Sequence, residues 1–475
     1  MQYEAVIGLE LHIQLATESK LFSPAPTRFG AAPNSQTNEI DLGYPGVLPV
    51  LNERAVEYAV LFGRALGAHI NRRAFFMRKN YFYPDLPKGY QISQLDDSII
   101  QGGTVTLQVD GIERTVRINR GQLEEDAGKS VHDHFPGATG IDLNRAGVPL
   151  IELVSEPDIS SAAEAVEYMK TMHHLVRYLG ISDGNMQEGS FRCDANVSIR
   201  PKGSQELNAR VELKNINSFR FVEQAINLEI ERQRELVESG QPVEQETRLF
   251  DADALETRTM RSKENANDYR YFPDPDLLPL QLEEDWLARV LVPELPPARK
   301  QRYQRDYQLD DDSAAYLLQT RALADYFDAV VSAGAEGKLA ANWIQGELAR
   351  LANAANQSLE STPVAAATLA ELLRSLQANT LSAAGAKKVL QRLWDEPTAS
   401  VAGLIEALGL RQVNDDGQIQ SWVADIIAAH PEQVAAYRGG QVKMLGFLTG
   451  QVIKLSKGQA NPKTVNDLLK AQLDG

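Results

Sequence analysis

Glu10 and His12 stand two residues apart in VIGLELHIQL, where Ile7, Leu9, Leu11, Ile13 and Leu15 alternate with polar or small residues. Side chains alternate between the two faces of a strand, so this acid and this imidazole share one face, about 7 Å apart along the chain. The run FRCDANVSIR, residues 191–200, repeats the pattern. Phe191, Cys193, Ala195, Val197 and Ile199 fall on one side, and Arg192, Asp194, Asn196, Ser198 and Arg200 on the other. A face that carries acids, amides and cations together suits a metal ion and a phosphorylated substrate better than bulk water.

The densest acidic cluster is Glu124, Glu125 and Asp126 in GQLEEDAGKS; further on, Asp142 and Asn144 share a face before Arg145, Gly147 and Pro149 break the pattern, and Glu152 lies just beyond. Consecutive acids cannot all face one ion, but a turn would present two of them beside Glu10 and His12. Oxygen donors of this kind suit magnesium, which keeps several waters and bridges to phosphate; a solvated acidic turn is the plainer alternative. KNINSF, residues 214–219, places Lys214, Asn215 and Asn217 at a strand-to-helix passage, where backbone N–H groups and a lysine hold an anion. MRSKENANDYRYFPDPDLLP, residues 260–279, interleaves Arg261, Lys263 and Arg270 with acids and aromatic rings. Either its guanidinium groups grip phosphate or carboxylate while the rings shape a nucleotide pocket, or the loop is zipped down by its own salt bridges. No Walker loop, dinucleotide glycine pattern or zinc signature is present, so ATP would bind by another route.

These residues need strands to carry them. Asp110-Gly111 joins TVTLQV to ERTVRI as a hairpin, and Glu212 and Lys214 oppose Val211 and Leu213 in a further strand. Helices are predicted from about 162 to 179, ending near Gly180, and from about 220 to 239, ending at Gly240. Sustained βα alternation is missing, which predicts an α+β cradle with a largely antiparallel sheet over residues 1–292. The Pro-rich run from Val292 ends it; residues 293–407 are Ala- and Leu-rich with helical spacing, and 408–475 read as a small helical tail. Between Arg438 and Lys470 that tail holds Arg438, Lys443, Lys454, Lys457, Lys463 and Lys470 against the single acid Asp467.

The chain of 475 residues carries a formal charge of −16, which argues against non-specific nucleic-acid binding by the whole surface but leaves room for this basic island. One cysteine excludes an intrachain disulfide and a cysteine-cluster metal site. No stretch approaches the roughly 20 apolar residues of a membrane helix and no basic start leads into an apolar run, so a reducing cytosol and no membrane association are expected.

Taken in order, VIGLELHIQL, GQLEEDAGKS, DLNRAGVPLIELVSEPD (142–158), DGNMQEGSFRCDANVSIRP (183–201), ELKNINSFRFVEQAI (212–226), RSKENANDYRYFPDPDL (261–277) and GQVIKLSKGQANPKTVNDLL (450–469) resemble the B subunits of the aspartyl/glutamyl-tRNA amidotransferases. The resemblance runs from end to end. It implies an ATP- and magnesium-dependent cradle that phosphorylates the side-chain carboxylate of Glu or Asp esterified to tRNA, as Glu-tRNA(Gln) or Asp-tRNA(Asn). Ammonia then displaces the phosphate. It comes through a channel from a glutaminase partner, the amidase or A subunit, and a small C subunit completes the assembly. Under that reading Glu10, His12, Glu124, Glu125 and Glu152 surround the metal, and Asp194 and Lys214 join them in catalysis. Arg192, Asn196, Lys214, Asn215, Arg261, Lys263 and Arg270 would meet nucleotide and phosphate, and the tail cations would meet tRNA. Many members carry a cysteine-based zinc knuckle where this chain has SPAPTRFGAAPNSQTNEIDLGYPG, residues 23–46, which has no cysteine; packing and prolines are expected to hold that loop, and no zinc is expected. The competing classes are a tRNA-holding protein without catalysis and an ATP-dependent ligase amidating another carboxylate.

Overall fold

The computed structural model describes residues 2–95, 97–131, 137–262, 266–412, 416–456 and 458–474. The chain divides into two compact units, Met1–Leu295 and Pro296–Gly475.

The first unit is built on a ten-stranded sheet. Its strands are β1 (Tyr3–Gln14), β2 (His69–Ile70), β5 (Ile100–Gln101), β6 (Thr104–Val109), β7 (Ile112–Glu125), β8 (Pro149–Ser155), β9 (Phe191–Pro201), β10 (Val211–Lys214), β11 (Glu246–Asp251) and β12 (Glu256–Ser262), while β3 (Met77–Asn80) and β4 (Tyr90–Ser93) form a separate small sheet together with Phe272–Pro273. The order across the sheet is β12-β11-β10-β9-β1-β8-β7-β5-β2, with β6 paired to β7. β1 is therefore central, and it runs antiparallel to both neighbours. β10 and β11 pair in parallel. The β6–β7 hairpin turns at Asp110 and Gly111, both with positive φ (51° and 76°), the backbone that a two-residue Asp-Gly turn requires.

Alternation decides which face is buried. Leu9, Leu11 and Ile13 of β1, Ile151 and Leu153 of β8, Phe191, Cys193, Ala195 and Val197 of β9, and Val211 and Leu213 of β10 all enter one core. That core is covered by α1 (Glu53–Ala65), α2 (Ala162–Leu179) and α3 (Phe219–Glu238), which contribute Phe62, Tyr168, Met172, Val222 and Ile226 among others. Ser161 caps α2 by accepting from the Glu164 amide, Gly180 ends it in the left-handed region, and Ser218 caps α3 through the Phe221 amide. Each burial of a large apolar side chain contributes on the order of 1.5–3 kcal/mol, which fixes the register and leaves the opposite face of the sheet polar.

The loop at residues 23–46 is fastened by a device that packing and prolines do not describe. Lys20 is buried and its Nζ lies 3.0 Å from Asp41 Oδ2; Ser23 Oγ donates to Asp41 Oδ1 at 2.8 Å and the Asn38 amide to Oδ2 at 3.0 Å. Gly147, at φ +85°, packs against this carboxylate so closely that a Cβ would come within 2.7 Å of it.

The second unit is helical, with no long strand among its described residues, and it contains two separate hydrophobic cores. One gathers Tyr303, Phe327, Trp343, Leu372 and Leu393, and the other Ile419, Val423, Leu448, Val452, Val465 and Leu469. No helix among the described residues is long and apolar enough to cross a membrane.

Candidate active site

The polar face of the sheet is assembled by register. His12 sits opposite Glu152 on one side and Arg192 on the other; Glu10 sits opposite Asp194; Asn196 opposes Glu212; and Glu152 opposes Gln122. Strands far apart in sequence thus bring their polar residues into one field. At its centre His12 Nε2 lies 3.6 Å from Glu10 Oε1 and 3.5 Å from Glu152 Oε2, and one ligand atom from each of the three falls within 4.8 Å of the others.

The members of this trio perturb one another strongly. Burial raises the Glu10 carboxyl, helped by the neighbouring Glu152 and opposed by His12, to about 7. Burial works against a charged His12, but its hydrogen bond to Glu152 and the charges of Glu10 and Glu152 lift it to about 9. For Glu152, burial is outweighed by that hydrogen bond and by the His12 and Lys79 charges, which pull it down to about 2. Gln122 Nε2 donates to Glu152 Oε1 at 3.1 Å and fixes the carboxylate plane. Two carboxylates and an imidazole converging in this way fit a divalent cation.

The expectation of no zinc is corrected here. It rests on the missing cysteines, yet the Glu10–His12–Glu152 grouping presents one nitrogen and two carboxylate donors, a set that zinc accepts. The missing knuckle in the 23–46 loop bears only on a cysteine-held zinc; the cysteine-free set is completed on the sheet, where pairing of β1 with β8 brings Glu152 to Glu10 and His12.

Glu124 and Glu125 do not join that grouping. Both lie in β7, not in a turn, so they point to opposite faces. Glu124 shares the face of Gln122 and accepts from Ser93 Oγ at 2.7 Å; burial and the charge of Glu152 raise its carboxyl. Glu125 is turned away, where it accepts from Lys88 Nζ and from the Ile92 amide. Asp126, one residue on, binds Arg192 Nη2 at 2.7 Å and Gln14 Nε2 at 2.7 Å, so the Arg192 guanidinium is held against an acid of its own chain.

Lys214 Nζ lies 2.5 Å from Asp194 Oδ2 and 3.6 Å from Glu212 Oε1. A cavity of about 430 Å³ opens over this face, lined by Glu10, Glu152, Asn196, Lys214, Tyr269 and Tyr271 among others. Asn215 is elsewhere engaged: it adopts φ 65° and its Nδ2 donates to the Phe250 carbonyl, which pins the strand-to-helix passage. Arg270, exposed and at φ 47°, has its carbonyl held by Asn80 Nδ2 at 2.8 Å. Arg261 is described by its backbone alone, in β12 opposite Thr247, and Lys263 lies outside the described residues. The zipped-loop alternative also has its bonds, since Arg78 binds Asp274 and Asp276 at 2.9 Å each.

Sequence reasoning missed Lys79 and Gln122. Lys79, on β3, is half-buried beside Glu124 and Glu152, whose charges outweigh the cost of desolvation and raise its pKa strongly. Two signals point to them: Gln122 is two residues before Glu124 on one strand, and NRRAFFMRKNYFY, residues 71–83, interleaves cations with rings. In the tail, Arg438 donates to the Leu473 and Gln472 carbonyls and so secures the last helix, Pro462–Leu473. Lys443, Lys454, Lys463 and Lys470 are exposed, and Lys457 lies outside the described residues.

Comparison with known proteins agrees with this architecture. The family described as the GatB/GatE catalytic domain matches residues 5–288, and that described as the GatB domain matches residues 325–473. Proteins named as the B subunit of aspartyl/glutamyl-tRNA(Asn/Gln) amidotransferase are similar throughout: that of Dichelobacter nodosus is 66% identical, with all of this chain and 99% of the relative covered. Those of Hydrogenovibrio crunogenus and Alkalilimnicola ehrlichii are 56% and 54% identical, with both chains covered in full. With a family match across most of the first unit and relatives of this identity along the whole length, the chain belongs to the family of aspartyl/glutamyl-tRNA amidotransferase B subunits.

Proposed function

We propose that the chain is the synthetase component of a tRNA-dependent amidotransferase, acting in the cytoplasm. With ATP it phosphorylates the side-chain carboxylate of Glu-tRNA(Gln) or Asp-tRNA(Asn), and ammonia from a partner glutaminase displaces the phosphate to give the amide. The A subunit supplies the ammonia, and a small C subunit completes a heterotrimer. The order of steps follows from reactivity: a carboxylate anion resists attack by ammonia, whereas an acyl phosphate offers a good leaving group.

The observation that carries this reading is the convergence of Glu10, His12 and Glu152 beneath a polar cavity. Those three would hold a divalent cation, which supplies neutralisation of phosphate charge when bound. Lys79 brings a fixed positive charge to the same acids from β3, and Asp194 orients the Lys214 ammonium along the cavity wall. Both lysines are therefore placed to meet phosphate oxygens as negative charge accumulates. Gln122 keeps Glu152 from rotating away from the trio. Arg192, held by Asp126, adds positive potential behind His12. Exposed Lys443, Lys454, Lys463 and Lys470 are suited to the phosphates of the tRNA body, whereas Arg438 is committed to the carbonyls that end the last helix.

The test is Glu152→Gln in the purified complex, supplied with each mischarged tRNA, ATP, and either glutamine or an ammonium salt. Amidation is expected to vanish with both nitrogen sources while glutamine hydrolysis persists. Undiminished amidation with ammonium would refute the reading.

A further inference from the structure

The aromatic residues around the cavity mouth form an ordered series rather than a scattered lining. Tyr83 meets Tyr81 edge-on with ring centroids 5.8 Å apart, Tyr81 meets Tyr269 at 6.1 Å, and Tyr269 meets Tyr271 at 6.2 Å. Tyr269 and Tyr271 line the cavity that holds Glu10 and Glu152, so the series leads from that cavity outward. At the outer end Tyr83 is 49% exposed and its neighbour Phe82 is 80% exposed.

Two distant segments are locked together to build it. β3 pairs with Phe272–Pro273, and Asn80 Nδ2 donates to the carbonyls of both Tyr269 and Arg270. Lys79 Nζ lies 5.0 Å from the Tyr269 ring and 6.0 Å from the Tyr81 ring, which places a cation under the series at its inner end. Phe82 is also supported from behind: Gly89, at φ +72°, approaches it so closely that a Cβ would lie 3.1 Å from the ring edge. Exposed rings gathered at the rim of a polar cavity, rather than scattered singly over the surface, mark a place where a ligand binds.

We propose that this series is the binding site for the unpaired 3′-terminal nucleotide of the aminoacyl-tRNA, with the terminal base stacked on Tyr83 and Phe82. The proposal rests on the reading of the cavity as the place where the aminoacyl group reacts. Its carrier is an ester on the last ribose, so a base must lie at the cavity mouth whenever the carboxylate lies within. Every base has a π-face, so an exposed aromatic ring accepts one whatever its identity. A sheet-borne face of acids alone would repel RNA. The rings and Lys79 reverse that locally in a chain whose total charge is −16.

The experiment compares intact deacylated tRNA(Gln) with the same tRNA lacking its terminal adenosine, binding each to the assembled complex carrying wild-type, Tyr83→Ala, Phe82→Ala or Tyr83→Phe chains. For the wild type, removing the adenosine should weaken binding by roughly 5- to 150-fold, the value of one stacked base. Tyr83→Ala should weaken intact tRNA comparably but leave the shortened tRNA unchanged, and Tyr83→Phe should restore the difference. In turnover, Tyr83→Ala should raise KM for Glu-tRNA(Gln) with little change in kcat and no change in glutamine hydrolysis. Equal losses on both tRNAs, or no loss on either, would overturn the assignment. So would dissociation of the complex on Tyr83→Ala with Tyr83→Phe intact, because the rings would then belong to an interface between protein chains. Failure of the proposed function would show differently, as a wild-type complex unable to amidate at all.

Discussion

The acid–imidazole field of the first unit and the lysine-bearing tail of the second place charge in opposite ways. In the field, Glu10, His12 and Glu152 come from two strands, are largely withdrawn from water, and perturb one another strongly enough to move the two carboxyls to about 7 and about 2. In the tail, Lys443, Lys454, Lys463 and Lys470 stand on helices around their own small core and are exposed. Buried charges interact at low effective dielectric and act as a unit, while exposed charges are screened within about 8–10 Å and act nearly independently. The first arrangement suits chemistry at a point, and the second suits adhesion to a long polyanion.

The sharpest way to break this comparison is to remove a member of the field. His12→Ala should lower ATP-dependent amidation by on the order of 10³-fold, the scale of losing a key electrostatic stabiliser, with glutamine hydrolysis by the partner retained. Elemental analysis of the same variant should show less bound divalent metal than the wild type, with zinc and magnesium both measured. A loss below about 10-fold, small for a group of this kind, would mean that the trio does not act as a unit.

Next in size is the buried pair that fastens the 23–46 loop. Lys20→Met leaves Asp41 buried without its counter-charge and should cost about 3–5 kcal/mol in denaturant unfolding. The double change Lys20→Met with Asp41→Leu should cost less than the single one, because no orphaned charge remains. If the single change were as mild as a surface substitution, burial would not be what distinguishes the two regions.

A smaller effect is expected from Gln122→Ala, which removes the amide holding Glu152 without touching the trio. Activity should fall by roughly 10- to 100-fold, the usual reach of a group that orients a metal ligand. Gln122→Glu should be worse than Gln122→Ala, since it adds a like charge beside Glu152.

The smallest change per residue is expected in the tail. Substituting Lys454, Lys463 and Lys470 together by Ala should raise KM for charged tRNA and leave kcat nearly unchanged. The salt dependence should flatten by about 0.7–0.9 in logarithmic slope for each tRNA phosphate that no longer meets a lysine. Titrations at several salt concentrations read this directly. An unchanged slope would make these lysines solvated surface and leave the comparison without its second member.

Much of the frame was legible because period-2 patterning is a local property. The alternation of β1 and β9, the Asp-Gly hairpin, the helix end at Gly180, and the change to helical composition beyond the prolines can each be read from a short window. Alternation also reveals the shared face of Glu10 with His12 and of Arg192 with Asp194. It did not separate Glu124 from Glu125, because that requires knowing that β7 continues through both without a turn.

What the sequence by itself determined, then, is which residues share a face within one strand, since the backbone's pleat allows nothing else. Only the tertiary structure decided which strands lie side by side. Pairing β1 with β8 set His12 against Glu152, and β8 with β7 set Glu152 against Gln122; β3, far along the chain, brought Lys79 to the same acids. The same is true of burial: nothing local marks Lys20 and Asp41 as an enclosed pair, because desolvation depends on everything that packs around them.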